Sequence, residues 1–304
     1  MNQLLLNFKD IFNAFPDAIL AGLVIAIACS FLGVFVVLKR VVFIGATLSQ
    51  VAACGIAAAL FYHVHPFLGA TIFTLVTVTI LAYPIGKNRI PRDAIMGSVF
   101  ILASGLSILI VSKSGFGLKE VKSLLYGDLI LTSPKDLNII IVSILPVMGL
   151  LILFLRPIIY TLVDREEAKV LGLRVTFWEL FFFYALGIVV SASSQVGGML
   201  LVFCYLVVPS TAALLLSNRF IGVWVISITI AIFATLSGFY FSYTQDLPTN
   251  QVIAVISCLL LLLSSISKIS WSLVCRIPKS MKWVGSKVPP PSLSPKKSKA
   301  DSER

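Results

Sequence analysis

The sequence predicts an all-α, polytopic transmembrane helical bundle of eight or nine spans. Apolar runs of span length follow one another from about residue 17 to residue 270. Charge is scarce: 12% of residues are charged and 58% hydrophobic, where a soluble domain carries about 25% charged residues. The polar gaps between the runs alternate between rich and poor in Lys and Arg. One helical crossing takes roughly 20 apolar residues, and a chain of 304 residues with a mean hydropathy of +1.01 supplies that length many times over.

Taken in order, the first span is Asp17–Leu38, closed by Lys39 and Arg40. The second, Ile44–Tyr62, ends at the polar gap His63–Pro66. The third, Phe67–Gly86, stops at Lys87, Arg89 and Arg92, and the fourth, Ala94–Ser112, opens into the long gap Lys113–Asp136. The fifth is Leu137–Leu155, followed by Arg156–Glu179. Phe177–Ser194 and Gly197–Leu216 are separated only by Gln195 and Val196, so they count as one span or two. Ile221–Tyr243 and Val252–Ile269 complete the set.

With nine crossings, Lys39/Arg40, Lys87/Arg89/Arg92, Arg156 to Arg174, Arg219 and the C-terminal segment share one side. Three of the four opposite gaps carry no Lys or Arg; the exception is Lys113–Asp136. Basic loops face the cytoplasm, which places the N-terminus outside and the C-terminus inside. The expected organisation is an N-terminal segment 1–16, a membrane domain 17–272 with a cytoplasmic loop 156–179, and a basic tail 273–304. The tail is rich in Pro, Ser and Lys and reads as disordered. The N-terminus has no basic leader with a small-residue cleavage site, so its first apolar run reads as a span.

The net charge of +11 is not a nucleic-acid footprint. Eight of the 24 Lys and Arg lie between Cys275 and Arg304, and most others sit in short loops, where basic residues set topology and touch anionic lipid. The five cysteines show no C-x-x-C spacing and read as small packing residues.

Polar chemistry is confined to few places. The spans contain almost no ionisable residues, and one at mid-span costs about 2.5–3.5 kcal/mol on insertion scales. This argues against a proton relay, an ion-coupled antiporter or an Arg-based voltage sensor. No G-x-x-x-x-G-K-[ST] run is present, so ATP, if it drives the protein, is hydrolysed on another subunit. The only two histidines, His63 and His65, precede Pro66. An extended backbone would put both rings on one side, where they could touch a transition metal; otherwise they make a polar turn. Within the long loop, Asp164–Gly172 reads as a short helix, with Asp164 able to cap it, Glu167 at the capping-box position and Gly172 able to end it. Glu166 and Glu167 then lie near its positive N-terminal end. That helix is either an interfacial turn or a lever that docks into a cytoplasmic partner.

Four stretches, Leu32–Gly55, Leu125–Asp136, Asp164–Gly172 and Val196–Pro209, in this order and spacing, resemble the membrane permease subunits of bacterial ATP-binding-cassette importers for zinc, manganese and iron. The likeness covers about residues 15–270. It implies a permease of the bacterial cytoplasmic membrane that is not itself an enzyme. It also implies a second permease copy or paralogue, cytoplasmic ATPase subunits that bind the ATP, and an extracytoplasmic metal-binding protein. No cofactor is implied on this chain; the divalent metal ion is cargo. The resemblance makes Asp164, Glu166, Glu167, Ala168 and Gly172 the coupling helix. An iron chelate as cargo, or a stand-alone secondary transporter, is the alternative.

One departure from the family pattern concerns the path. The family usually has Asp where this chain has Ala46, and His where it has Gln50. These positions share a helix face, and Gln is a poor ligand for zinc or manganese. A partner paralogue supplies the missing pair, the ion passes with fewer ligands, or the cargo differs. Ser194 and Gln195 are further candidates for the path. Asp128 and Asp246, in outer gaps, read as solvated residues that could meet a delivery protein.

Overall fold

The computed structural model describes residues 14–82, 92–113, 127, 129–163 and 165–280. Among them there is no strand. Ten helices follow one another: α1 Pro16–Leu38, α2 Phe43–Phe61, α3 Pro66–Ala82, α4 Arg92–Lys113, α5 Pro134–Leu153, α6 Leu155–Val163, α7 Arg165–Val170, α8 Val175–Leu216, α9 Phe220–Gln245 and α10 Thr249–Ser280. The described residues up to Ser265 form one compact unit, and those from Ile266 belong to a second. Helix α10 runs on to Ser280, past the boundary expected at 272, and the rest of the tail lies outside the described residues.

The sixth and seventh expected spans are merged into α8, whose 42 residues at 1.5 Å each would measure about 63 Å, twice the roughly 30 Å of a bilayer core. The helix is broken at Gly198, whose φ of 69° and ψ of 171° leave the helical region. In the first half, Phe182 meets Phe35, Ser193 meets Cys29 and Gly197 approaches Ile25. In the second half, Leu206 lies against Gly33, Ser210 bonds the Ser30 carbonyl and Ala213 packs with Val34. The chain therefore runs down α1 and then back up it. The break is a hairpin, and α8 crosses twice. With the short α3 counted as a crossing, the described residues hold nine.

Helix α1 lies at the centre. It packs on α8, α9 and α5, and its Ile25, Leu32 and Val34 are fully buried. Helices α2, α3 and α4 form a neighbouring group, joined to α8 by α2 and α3. The peripheral helices invert the pattern of a soluble protein: Ile101 and Leu109 on α4, and Val142 and Leu153 on α5, are exposed. In a bilayer these residues face lipid.

Because lipid is as apolar as the helices, close packing and interhelical hydrogen bonds hold such a bundle together. The backbones of α1 and α8 touch at Gly33, where an added Cβ would fall on the Leu206 carbonyl and lie 2.6 Å from Ser210 Oγ. The Ser30 carbonyl accepts from both Ser210 and Ser227, which ties α1, α8 and α9 together. Tyr205 and Thr235 share a bond of 2.5 Å, and Asn250 Nδ2 donates to the Gly197 carbonyl at 3.0 Å, fastening the hairpin apex to α10.

Several helix ends share one device. At Arg40, His63, Gly172 and Asp246 the chain turns into positive φ. Val41, Val64, Leu173 and Leu247 then donate back to Val36, Ala59, Ala168 and Ser242, the six-to-one bond of a Schellman cap. Helix α5 starts on a capping box between Ser133 and Asp136. The expected loop 156–179 is mostly helical. Its first part is α6, where Ile158 and Leu162 are buried while Arg156 and Tyr160 are exposed.

Candidate functional site

Two polar places stand out. The first lies on α2 and α8, which pack against each other. On α2, Ala46 and Gln50 are both buried, Gln50 almost completely at 1% exposure. Thr47 beside them is satisfied, donating to the Phe43 and Met96 carbonyls. Ser49 Oγ and Gln50 Nε2 have no hydrogen-bond partner within the chain. On α8, Ser191 bonds Thr71 at 3.2 Å and Ser193 accepts a weak bond from Cys29. The next two residues, Ser194 and Gln195, bury Oγ and Oε1 without a partner within the chain.

A buried polar atom without a partner costs several kcal/mol in a hydrocarbon surrounding, so a set of them on two touching helices has the character of a wetted or ligand-bearing interior. Its chemistry is neutral: hydroxyls and amides offer oxygen ligands and donors, but no charge. Among the described residues, no group of three or more His, Cys, Asp or Glu is arranged to hold a metal ion. Gln50, Ser194 and Gln195 each bury a polar atom without a partner within the chain, and Ala46 adds only a methyl. Ser49 was missed by the sequence reading, because one serine in an apolar run carries no signal.

The second place is α7 and its flanks. Ala168 is fully buried and pins the helix, while Val170 and Leu171 project at 88% and 57% exposure. Glu166 is exposed. Gly172 has a φ of +75° and closes the Schellman cap, with Leu173 N–H donating to the Ala168 carbonyl. Asp164 lies outside the described residues, and so does the capping expected of it. The sequence reading assigns no role to Val170 or Leu171.

At the same end of the bundle, Lys39 Nζ lies 2.6 Å from Glu179 Oε1, with both side chains only slightly exposed. The ammonium also sits 5.1 Å from the Phe183 ring, a favourable cation–π position. Sequence reading had used Lys39 only as a topology marker.

Of the two arrangements open to the histidines, the backbone at His63 is the turn and not the extended one that would align the rings. His63 has a φ of 57° and closes the α2 cap, and both His63 and His65 are exposed. They form the turn into α3.

Nine crossings among the described residues, with unpartnered polar atoms buried on two packed helices, make the chain a polytopic membrane protein. The chain belongs to the ABC 3 transport family, whose model matches residues 12–268. It is 27% identical over 261 residues to the manganese transport system membrane protein MntC of Halalkalibacterium halodurans, covering 86% of this chain and 88% of that one. It is 24% identical over 250 residues to the high-affinity zinc uptake system membrane protein ZnuB of Haemophilus influenzae, covering 82% and 95%. Its fold matches a chain of PsaBC from Streptococcus pneumoniae in complex with Fab, with a TM-score of 0.77 and 22% identity over 86% of this chain and 95% of that one.

Proposed function

We propose that this chain is the membrane permease of an ATP-driven importer of divalent transition metal ions of the zinc, manganese and iron class. A separate cytoplasmic ATPase docks on α7, and the bundle alternates between outward and inward access as the ATPase closes. An extracytoplasmic binding protein delivers the ion, and a second permease, a copy or a paralogue, completes the path. The observation that carries this reading is α7 itself, a short helix pinned by Ala168 that thrusts Val170 and Leu171 outward. Two bare apolar side chains on a rigid, capped projection suit a groove on a partner protein. The cargo class rests on the manganese and zinc transport systems to which the relatives belong.

In this reading Ser49, Gln50, Ser194 and Gln195 line the ion's route, and Asp164, Glu166, Glu167, Ala168 and Gly172 form the lever. A neutral route leaves the divalent charge to be balanced elsewhere, which fits a partner permease that carries the acidic and imidazole ligands. The test is reconstitution in vesicles with the ATPase and binding protein, followed by uptake of manganese(II), zinc(II) and iron(II). Nucleotide-dependent uptake is expected, with co-elution of the ATPase lost on Val170→Asp or Leu171→Asp. Uphill accumulation by this chain alone would overturn the reading, and uptake of a chelate but of no free ion would reassign the cargo.

A further inference from the structure

We propose that the Lys39–Glu179 ion pair is the strut that carries displacement of α7 to the α1–α2 corner, and so sets how many ions move per ATP. This rests on the reading of α7 as the ATPase-docked lever.

The connection from lever to strut is short and stiff. After Val170 the chain passes through the closed Schellman cap at Gly172 and enters α8 at Val175, with Arg174 as its N-cap residue. Helix α7 packs on α6 and touches α8, to which it is joined through the closed cap at Gly172. Glu179 lies just over one turn into α8, and Phe183 follows it four residues later on the same face. Both meet Lys39, one through a 2.6 Å charged bond and the other through its ring face.

Beyond the strut the path is equally taut. Lys39 is the C-cap residue of α1, with its N–H held by the Phe35 carbonyl. The corner that follows is locked: Arg40 N–H donates to Val37, Val41 N–H to Val36, and Ile44 N–H back to Val41, whose side chain is buried. Helix α2 starts at Phe43 and carries Ser49 and Gln50 two turns further on. A push on α7 therefore has a continuous route to the polar residues of α2, and its charged link is Lys39–Glu179. A charge-assisted bond largely shielded from water is shorter and stronger than a neutral one, which suits a link that must hold under load.

The experiment uses the whole complex in vesicles, with ATP hydrolysis and manganese(II) or zinc(II) uptake measured in the same samples. Glu179→Gln and Lys39→Met are expected to lower the ions moved per ATP by about five- to tenfold, while the ATPase still co-elutes. The double variant Lys39→Glu with Glu179→Lys, which restores the pair in reverse, is expected to recover most of the ratio. Hydrolysis and uptake falling by one common factor would make the pair merely structural and overturn the proposal, and so would a double variant as uncoupled as the singles. If a single variant fails to fold, the double variant decides alone. Failure of the wild-type complex to take up metal with ATP would instead sink the underlying reading.

Discussion

At the scale of single residues, the chain tolerates two local costs. His63 stands in the left-handed region without being glycine, which costs roughly 1–2 kcal/mol for an L-residue. His63→Gly is expected to raise thermal stability in detergent, by up to about 1 kcal/mol because glycine loses more freedom on folding, and to leave metal uptake intact; a clear drop in uptake would instead make the ring a ligand. Gln50 buries a donor that the chain does not satisfy, a cost of about 1–3 kcal/mol. Gln50→Leu is expected to raise the unfolding temperature and to lower uptake severalfold, the trade-off of a residue kept for function at the expense of stability. Gln50 and Gln195 were legible in the sequence because an amide inside an apolar run is conspicuous, and Ser194 because it stands in the small, polar run Ser191–Gln195. The partnership of Lys39 with Glu179 was not: they lie far apart in the chain, and each reads equally well as a charge at a span boundary.

At the scale of elements, the bundle depends on glycines where backbones meet. Gly33→Ala would drive a methyl into the Leu206 carbonyl and Ser210, and the forced separation of α1 and α8 is expected to cost about 1–3 kcal/mol. The yield of monodisperse protein would fall, whereas Gly149→Ala, which meets nothing within 4 Å, would leave it unchanged. Gly198 adopts a backbone conformation open only to glycine, so Gly198→Ala is expected to cost a further 1–3 kcal/mol, roughly, and to loosen the hairpin, read as faster proteolysis near residue 198. The hairpin was half legible: the short gap Gln195–Val196 hinted at two spans, but apolar length alone does not distinguish a bend from a long straight helix. Helix α6 was hidden because Arg156 and Pro157 look like the end of a span. Only the burial of Ile158 and Leu162 opposite exposed Tyr160 reveals an amphipathic helix lying beside the bundle.

At the scale of the whole molecule, the nine crossings among the described residues put the α7 end and the Asp246 turn on opposite faces of the membrane. Lys169→Cys and Asp246→Cys are therefore expected to react with an impermeant thiol reagent from opposite sides, the first only in inverted vesicles. Reaction from the same side would reduce the crossings to eight. The membrane architecture was the most legible property of all, since span length and loop charge are written directly into composition and pattern. The side chains that face lipid were less so, because a bilayer accepts leucine on the outside of a bundle as readily as on the inside.

The reversal at Gly198 has a mechanical corollary. The two halves of α8 rise from a common base like the arms of tweezers, and their joined tip carries Ser194 and Gln195. Tilting that base by about 5° displaces a point some 30 Å away by about 3 Å at helical rise, comparable to the diameter of a water molecule. On the alternating-access reading proposed above, such a gate would open and shut by leaning, with the helical hydrogen bonds of both arms intact.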